Sequence, residues 1–276
     1  MMQTPRLMAV LAHPDDESLG VGGTLAKYAS EGVEVFLVTA TRGDRGSYRG
    51  FRPDDPKHPG PLALANIRET ELRAAVSALG LHEVTLLDFR DQCLDDADPH
   101  EAIVAIVQHI RRVQPQVVVT FGPEGAYGHP DHVAISQFTT AAIVAAADPA
   151  FRCDENQAGQ SHAVSKLYYI AWPESTWNAY QAAFRKLVSM VDGVERQAMP
   201  WPDWAVTTVI DTRSFSSTVW RAISCHESQI AAYERLKQFS PDDHEALWGW
   251  QSFYRVFSTV SGGRARETDL LEGIRA

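Results

Sequence analysis

Short apolar runs alternate regularly with helical patterns along the first two-thirds of the chain. Short continuous apolar runs are typical of strands that are buried on both faces. Such runs occupy residues 7–12, 33–39, 83–87 and 116–121, and helical patterns occupy 19–30, 62–79, 99–113 and 130–146. This order predicts an α/β fold, a Rossmann-like doubly wound, mostly parallel sheet with helices on both faces.

The remaining segments are less regular. A Gly- and Pro-rich loop at 41–61 is unusually long, and loops of that length are often functional. We expect a loop or insertion at 148–165, strands at 166–171 and 206–210, a helix at 214–238, and a mobile loop with a short helix at 261–276. The 276 residues, 45% of them hydrophobic, suffice for one large domain, so we expect 1–276 to form a single domain.

Charge and composition narrow the class of function. A formal net charge of −10 argues against a nucleic-acid binder, which would carry a basic stripe. No stretch approaches the roughly 18 uninterrupted apolar residues of a membrane span, and the N-terminus lacks the layout of a signal peptide. Cys93, Cys153 and Cys225 form no CxxC pair, which favours reduced thiols. We therefore expect a cytoplasmic protein.

Two segments rich in histidine and aspartate follow the first and fourth predicted strands. They are AHPDDE at 12–17 and GPEGAYGHPDH at 122–132. In an open α/β sheet, ligands bind at the carboxyl ends of the strands, where the strand order reverses. If the order begins 3-2-1-4, strands one and four are neighbours and both segments reach the crevice between them. The sequence therefore predicts the functional site at this crevice.

The spacing within the two segments predicts a metal site. His13 and Asp16 are three residues apart, as are His129 and His132, and Pro130 suits the first turn of a helix. Two imidazoles and one carboxylate with an open fourth position are typical of a catalytic zinc ion. We predict that His13, Asp16 and His132 bind one zinc ion per chain, with Fe2+ as the alternative in the cell.

Such a site predicts a hydrolase, because zinc activates water and polarises a carbonyl. Asp15, beside the ligands, is the predicted general base. We expect His129 to stabilise the oxyanion or protonate the leaving group, Asp131 to fix the tautomer of His129, and Tyr127 to add a hydrogen bond. A helix N-cap is the alternative explanation of His129 and Asp131.

At AHPDDE and GHPDH the sequence resembles the LmbE-like, or PIG-L, family of zinc-dependent deacetylases, over at least residues 6–146. That family includes the N-acetylglucosaminyl-phosphatidylinositol deacetylases and the deacetylases of mycothiol and bacillithiol biosynthesis. His226 and Gln229 look like a late His-x-x-Gln that members often carry. The resemblance implies a Rossmann-like fold, zinc at the predicted ligands, Asp15 as base, and removal of an acetyl group from an N-acetylated, GlcNAc-type amino sugar.

The resemblance also implies residues that contact the substrate. Arg68 in NIRETEL matches a helical arginine that some members use to bind substrate, and Asp44 or Arg45 in the long loop is a further candidate. The alternative for Arg68 is an exposed salt bridge with Glu71 or with nearby aspartates.

The C-terminal third is rich in tryptophan. Its members are Trp172, Trp177, Trp201, Trp204, Trp220, Trp248 and Trp250. Tryptophans are more typical of a core or of a contact between subunits than of a sugar platform, so a homo-oligomer is a further expectation. They leave the identity of the substrate open.

Three alternatives compete with the deacetylase. A dinucleotide-binding protein is disfavoured because the glycines after strand one read GVGGTL rather than GxGxxG, and strand two lacks the acid that binds ribose. An amidase that cleaves a thiol conjugate of an amino sugar keeps the chemistry but changes the bond. A non-catalytic metal-binding Rossmann-like protein would not require the carboxylate of Asp15.

Overall fold

The computed structural model describes residues 4–153, 160–184, 188–191, 193–197, 199–260, 263 and 265–275. The strands are β1 (Arg6–Leu11), β2 (Glu34–Thr41), β3 (Glu83–Phe89), β4 (Val117–Phe121), β5 (Lys166–Ile170), β6 (Ser189–Val191), β7 (Val194–Arg196), β8 (Thr208–Asp211) and β9 (Trp250–Ser258). The helices are α1 (Asp16–Leu19), α2 (Gly22–Ser30), α3 (Pro61–Leu79), α4 (Pro99–Val113), α5 (Gly125–Gly128), α6 (Pro130–Ala147), α7 (Glu174–Phe184), α8 (Ser216–Cys225), α9 (Ile230–Tyr233) and α10 (Pro241–Trp248).

Seven strands form one sheet in the order β3-β2-β1-β4-β5-β9-β8. Strands β1 to β5 pair in parallel, and β9 runs antiparallel to both β5 and β8. Strands β6 and β7 form a separate antiparallel hairpin. The predicted α/β class and the predicted order 3-2-1-4 are confirmed, and the carboxyl ends of β1 and β4 lie side by side.

The sheet is buried because its central strands are almost wholly apolar. The five residues from Leu7 to Leu11 of β1 are completely shielded from solvent, as are Val117 and Val118 of β4. Helix α4 packs against α6, while α8 packs against α2 and α3. Such two-faced burial explains why these strands read as continuous apolar runs rather than as an alternation.

The predicted helix at 214–238 is wrong as a single element. Helix α8 ends at Cys225, and short 3-10 turns flank α9 in the rest of the range. His226 leaves the helical conformation, with φ −82° and ψ 60°, and its fully buried ring hydrogen-bonds Glu17. This long-range contact outweighs the helical pattern, because local propensity is a weak preference that tertiary packing overrides.

The sequence patterns did not indicate α7, α10, β9 or the β6–β7 hairpin. In the predicted insertion at 148–165, residues 154–159 lie outside the described residues, and the described remainder contains no helix or strand. The chain terminus was expected to be a mobile loop and a short helix. Its described part is instead anchored: Leu270 and Leu271 are fully buried, and residues 270–274 form turns.

A buried charged cluster fixes this terminal segment to the sheet. Glu267 accepts hydrogen bonds from Lys166 Nζ at 2.8 Å, Arg255 Nη1 at 2.6 Å, Tyr168 Oη at 2.6 Å and Thr208 Oγ1 at 2.9 Å. Lys166 is completely buried and Glu267 is 2% exposed. Paired charges in such a place are tolerated only because every partner is present. Within the part of the chain described here, no helix is both long and apolar enough to cross a membrane.

Candidate metal centre

The turn after β1 carries the first half of the site in a strained conformation. Asp15 has φ 117°, a region that residues other than glycine rarely adopt and that often marks functional sites. Its backbone N–H donates to Glu17 Oε2 at 2.9 Å. The backbone N–H groups of His13 and Ala12 donate to Asp16 Oδ2 at 2.7 and 3.2 Å. These bonds hold the Asp16 carboxylate beside the His13 ring.

The N-terminus of α6 carries the second half of the site. His129 is the N-cap residue, and its Nδ1 accepts from the backbone N–H of Asp131 at 3.2 Å. Pro130 occupies the first helical position, where its missing N–H has no partner to lose. His132 lies one turn along, and its ring stacks on Phe121 at the end of β4 with centroids 3.9 Å apart.

The three predicted ligands converge. His13 Nδ1 lies 3.2 Å from His132 Nε2 and 3.6 Å from Asp16 Oδ2, and His132 Nε2 lies 3.3 Å from Asp16 Oδ1. Nitrogen and oxygen ligands at zinc–ligand distances of 2.0–2.1 Å in a tetrahedron are separated by about 3.3 Å. The two imidazoles and the Asp16 carboxylate are spaced as zinc ligands would be, with each imidazole facing a different oxygen of Asp16. Two further sets of donors lie within 4.8 Å of one another, namely His13 with His129 and His132, and His13 with Asp91 and Asp131.

Two carboxylates hold the other nitrogen of His13. Its Nε2 lies 3.0 Å from Asp131 Oδ2 and 3.3 Å from Asp91 Oδ1. In the neutral ring, an Nε2–H that donates to a carboxylate would leave Nδ1 free to bind a metal ion, as is common for metal-binding histidines. The sequence predicted that the Asp131 side chain would bond His129, and this is wrong. The Asp131 carboxylate bonds His13 instead, and only the backbone N–H of Asp131 reaches His129.

Asp131 is itself held by two backbone donors. Its Oδ2 and Oδ1 accept from the N–H groups of Gln92 and Leu94 at 2.7 and 3.0 Å. Sequence reasoning missed Asp91, although it lies just beyond β3 at the same edge of the sheet as the predicted site. The rule that ligands bind at strand ends would have identified it, had it been applied to the third strand as well as to the first and fourth.

The carboxylates of Asp16, Asp91 and Asp131 make this site strongly favour a positive charge. Burial opposes the charged form of His13, but hydrogen bonds to Asp131, Asp16 and Asp91 outweigh it and raise the pKa of His13 well above its usual value. Burial would raise the pKa of Asp16, yet His132 and His13 hold it well below its usual value. A buried set of ionised carboxylates and imidazoles of this kind is suited to a divalent cation.

Asp15 lies beside the donor set. Its Oδ2 accepts from Tyr233 Oη at 2.7 Å and from Arg68 Nη2 at 3.0 Å. Both bonds end on Oδ2, which leaves Oδ1 as the oxygen that can take up a proton. Burial raises the pKa of Asp15, and the positive charge of Arg68 partly offsets that rise.

Arg68 is buried beneath this turn rather than open to solvent. It is 4% exposed, and its guanidinium donates to Pro14 O and, at 3.0 Å, to Gly43 O as well as to Asp15. A Cβ on Gly43 would lie 2.2 Å from Arg68 Nη1, so this backbone must be glycine for the guanidinium to fit. The alternative of an exposed salt bridge with Glu71 or nearby aspartates is wrong in its exposure and in Glu71, which instead accepts from Ser228. The ion pair is a buried one with an aspartate, Asp15.

Asp44 and Arg45, the two candidates on the long loop, differ in their relation to the predicted metal ligands. Asp44 lines a cavity together with Arg42 and Asp88, and none of the three predicted metal ligands borders that cavity. The backbone N–H of Arg45 donates to Asp91 Oδ2 at 2.8 Å, so Arg45 supports a carboxylate that contacts His13.

The His-x-x-Gln motif of His226 and Gln229 contacts residues that support the turn at Asp15. His226 Nε2 lies 2.8 Å from Glu17 Oε1, and both side chains are fully buried. Gln229 Nε2 donates to Ser47 O at 2.8 Å and so connects this segment to the long loop. Because Glu17 also binds the backbone of Asp15, the C-terminal third helps to hold the strained turn.

Two cavities flank the metal centre. The larger, here called the polar cavity, is about 540 Å³ and is lined by Gln92, Asp95, Asp96, Tyr127, His129, Pro130, Asp131, Val188, Ser189 and Met190. The smaller, the aromatic cavity, is about 230 Å³ and is lined by Asp15, Asp16, Leu19, Gly20, Phe121, Ala126, Tyr127, His132, Trp172, Tyr180, Phe184 and Tyr233. Tyr127 borders both, and burial raises the pKa of its phenol far above the usual value, so it stays protonated.

Comparison with known proteins points to one family. The chain is 37% identical over 300 residues to a 1D-myo-inositol 2-acetamido-2-deoxy-alpha-D-glucopyranoside deacetylase of Rhodococcus opacus, with 99% of each chain covered. It is 35% identical over 317 residues to a protein of the same name from Kineococcus radiotolerans, covering 99% of this chain and 84% of that one. In fold it is similar to the N,N'-diacetylchitobiose deacetylase of Pyrococcus horikoshii, with a TM-score of 0.68, 20% identity, and 92% and 84% of the two chains covered.

The family model described as "PIG-L: GlcNAc-PI de-N-acetylase" matches residues 8–143, the range that contains both His/Asp segments. The full-length relatives extend the similarity through the C-terminal third, which supplies Tyr233 and His226 to the site. The chain belongs to the PIG-L family.

Proposed function

We propose that this protein is a zinc-dependent hydrolase that removes the acetyl group from an N-acetylated amino sugar joined to a polar aglycone, with GlcNAc-inositol as the leading candidate. The observation that carries the proposal is the convergence of His13, Asp16 and His132 beside the carboxylate of Asp15. Relatives that are 35–37% identical over nearly the whole chain are named as deacetylases of such a compound.

The chain's own residues account for the chemistry. His13, Asp16 and His132 would hold a zinc ion, which would supply a Lewis acid for the amide carbonyl and lower the pKa of water to about 7. Asp15 removes a proton from the attacking water at Oδ1 and can return it to the leaving amine, while Arg68 and Tyr233 hold Oδ2 in place. Arg68 is thus proposed to position the base, in place of the predicted contact with substrate.

His129 is proposed to donate a hydrogen bond at its outer nitrogen. Its Nδ1 accepts from the backbone of Asp131, and this fixes the neutral ring as the Nε2–H tautomer. Burial, with the nearby His13 and His132, lowers the pKa of His129 to about 3, so a neutral donor is favoured over an imidazolium. Such a donor can stabilise charge that develops on the carbonyl oxygen.

The polar cavity suits the sugar and its aglycone. Asp95 and Asp96 offer acceptors for hydroxyl groups, and the volume of about 540 Å³ lies within the usual range for small-molecule sites. His129 and Tyr127 border this cavity at the metal centre. An amine leaving toward the polar cavity would therefore pass His129.

The proposal is tested by assaying free-amine release from GlcNAc-inositol, GlcNAc-malate and a thiol conjugate of an amino sugar with the zinc-loaded protein. We expect release from a GlcNAc compound, fastest with GlcNAc-inositol. Cleavage of the thiol conjugate alone would establish the amidase instead. No release from any of the three would contradict the proposed activity. Loading with Fe2+ in parallel shows which ion supports the higher rate, because a His/carboxylate donor set binds both.

We predict that His129→Ala slows turnover by about 10²–10³-fold, the usual cost of losing one donor that stabilises an oxyanion. Zinc content should stay unchanged, because the three ligands remain. The two quantities are kcat with the preferred substrate and zinc per chain by elemental analysis. Loss of zinc from this variant would make His129 a ligand and overturn its assigned role.

A further inference from the structure

We propose that the aromatic cavity binds the acyl group of the substrate and that the enzyme accepts N-acyl chains longer than acetyl. This inference rests on the proposed function and adds a substrate class to it. Hydrolysis would break the amide C–N bond with one water and release the free amine and the carboxylate of that acyl chain.

The first observation is where the cavity lies. Asp16 and His132, two of the proposed ligands, form part of its wall, as does the base Asp15. An amide carbonyl at the metal centre carries its two substituents on opposite sides. The polar cavity borders His129 and Asp131, whereas the aromatic cavity borders Asp16 and His132, so each cavity can receive one of the two substituents.

The second observation is the chemistry of the wall. Tyr180 donates its hydroxyl to Leu19 O, and Tyr233 donates its hydroxyl to Asp15. The rings of Trp172 and Tyr180 stack with centroids 4.3 Å apart. With these hydroxyls engaged, the wall away from the metal centre consists mainly of aromatic and aliphatic carbon. A sugar there would leave hydroxyl groups without partners, whereas a hydrocarbon chain would not.

The third observation is size. An acetyl methyl group is about as large as a water molecule, which occupies roughly 30 Å³ in the liquid. The cavity of about 230 Å³ has room for several such groups. Part of this volume lies beside Asp15, Asp16 and His132 and would hold the attacking water and the amide. The remainder is larger than one methyl group, and apolar surfaces gain when a hydrocarbon fills the space between them.

Most of the aromatic residues that line this cavity follow the segment that the family model matches. Trp172, Tyr180, Phe184 and Tyr233 all follow residue 143, where the family model ends. The metal centre can therefore be shared across the family while the C-terminal third determines which acyl group fits.

The test measures kcat/KM for N-acetyl, N-propanoyl, N-butanoyl and N-hexanoyl derivatives of one amino-sugar substrate with the zinc-loaded enzyme. We expect kcat/KM to rise by up to about fourfold per added methylene until the cavity is full, the gain expected for burying one methylene. A fall of tenfold or more from acetyl to butanoyl would overturn the inference while leaving the deacetylase intact. No release from any derivative would contradict the proposed function instead.

A binding measurement decides the inference even without turnover. Calorimetric titration of the zinc-loaded protein with acetate and hexanoate should show tighter binding of hexanoate by at least tenfold, and equal or weaker binding of hexanoate would refute an acyl site.

Leu19→Phe narrows the cavity and should lower the hexanoyl-to-acetyl ratio of kcat/KM about tenfold. The matched control is Leu62→Phe at a residue that is 79% exposed, which should leave that ratio unchanged.

Discussion

Replacing Asp15 by asparagine is expected to lower kcat by about 10²–10⁴-fold while the protein keeps its zinc, because general acid–base catalysis contributes that much. Asparagine has nearly the same shape and can still accept the bonds from Tyr233 and Arg68, but it cannot take up a proton. The structure places Asp15 beside the donor set without requiring it as a ligand. The readouts are kcat with the preferred substrate and zinc per chain by elemental analysis.

The matched control is Asp54→Asn, the same change at a side chain that is 84% exposed on the long loop. It should leave kcat within about twofold, since surface substitutions of this kind rarely matter. If Asp15→Asn retained most of its activity, Asp15 would not be the base. If it lost its zinc, Asp15 would belong to the ligand set.

Replacing Glu267 by alanine is expected to lower the free energy of unfolding by about 3–5 kcal/mol, the usual cost of removing one partner of a buried ion pair. The variant leaves Lys166 completely buried without the carboxylate that accepts its hydrogen bond. It also removes the acceptor for Tyr168, Thr208 and Arg255 and so releases the terminal segment. Urea denaturation measures the change.

Two comparisons separate charge from packing. The double variant Lys166→Met with Glu267→Leu should recover only the part of the loss that comes from the unpaired Lys166, because Tyr168 and Thr208 still lack their acceptor. Burial opposes ionisation of Glu267, but its hydrogen bonds outweigh it and lower its pKa to about 2. Its stabilising effect is therefore present above about pH 4.5 and lost as the pH falls toward 2. A constant difference between wild type and Glu267→Ala over that range would contradict this account.

The sequence predicted the sheet and the meeting of the two His/Asp segments because both depend on short, strongly patterned segments. The apolar runs that became β1 and β4 are buried on both faces, and the strand-end rule brought His13 and His132 together although they are 119 residues apart. The side chains of His13, Asp16 and His132 lie close together at that edge of the sheet, and their role as metal ligands stays a prediction. The residues around them were less predictable.

Long-range contacts explain what the sequence did not reveal. Arg68 and Tyr233 come from elements far from Asp15 along the chain, so no local spacing indicates that both bond its carboxylate. The break of the predicted helix at His226 depends on Glu17, which precedes it by 209 residues. Asp131 was assigned to the neighbouring His129 on sequence proximity, yet the fold directs its carboxylate to His13.

The tryptophans illustrate the same limit. Trp248 is fully buried and Trp177 nearly so, as expected of core residues, whereas Trp204 is 85% exposed. Trp172 lies at the wall of the aromatic cavity, a position that composition alone could not distinguish from the core. The prediction of a homo-oligomer stays a prediction.

Elemental analysis of purified variants is the sharpest test of whether His13, Asp16 and His132 bind the catalytic metal. The wild-type protein should carry about one zinc ion per chain, as expected for three ligands with an open position. Asp16→Ala and His132→Ala should each lose it, while the exposed control Asp54→Ala should retain it. Full zinc content in both ligand variants would contradict the assignment of the metal centre.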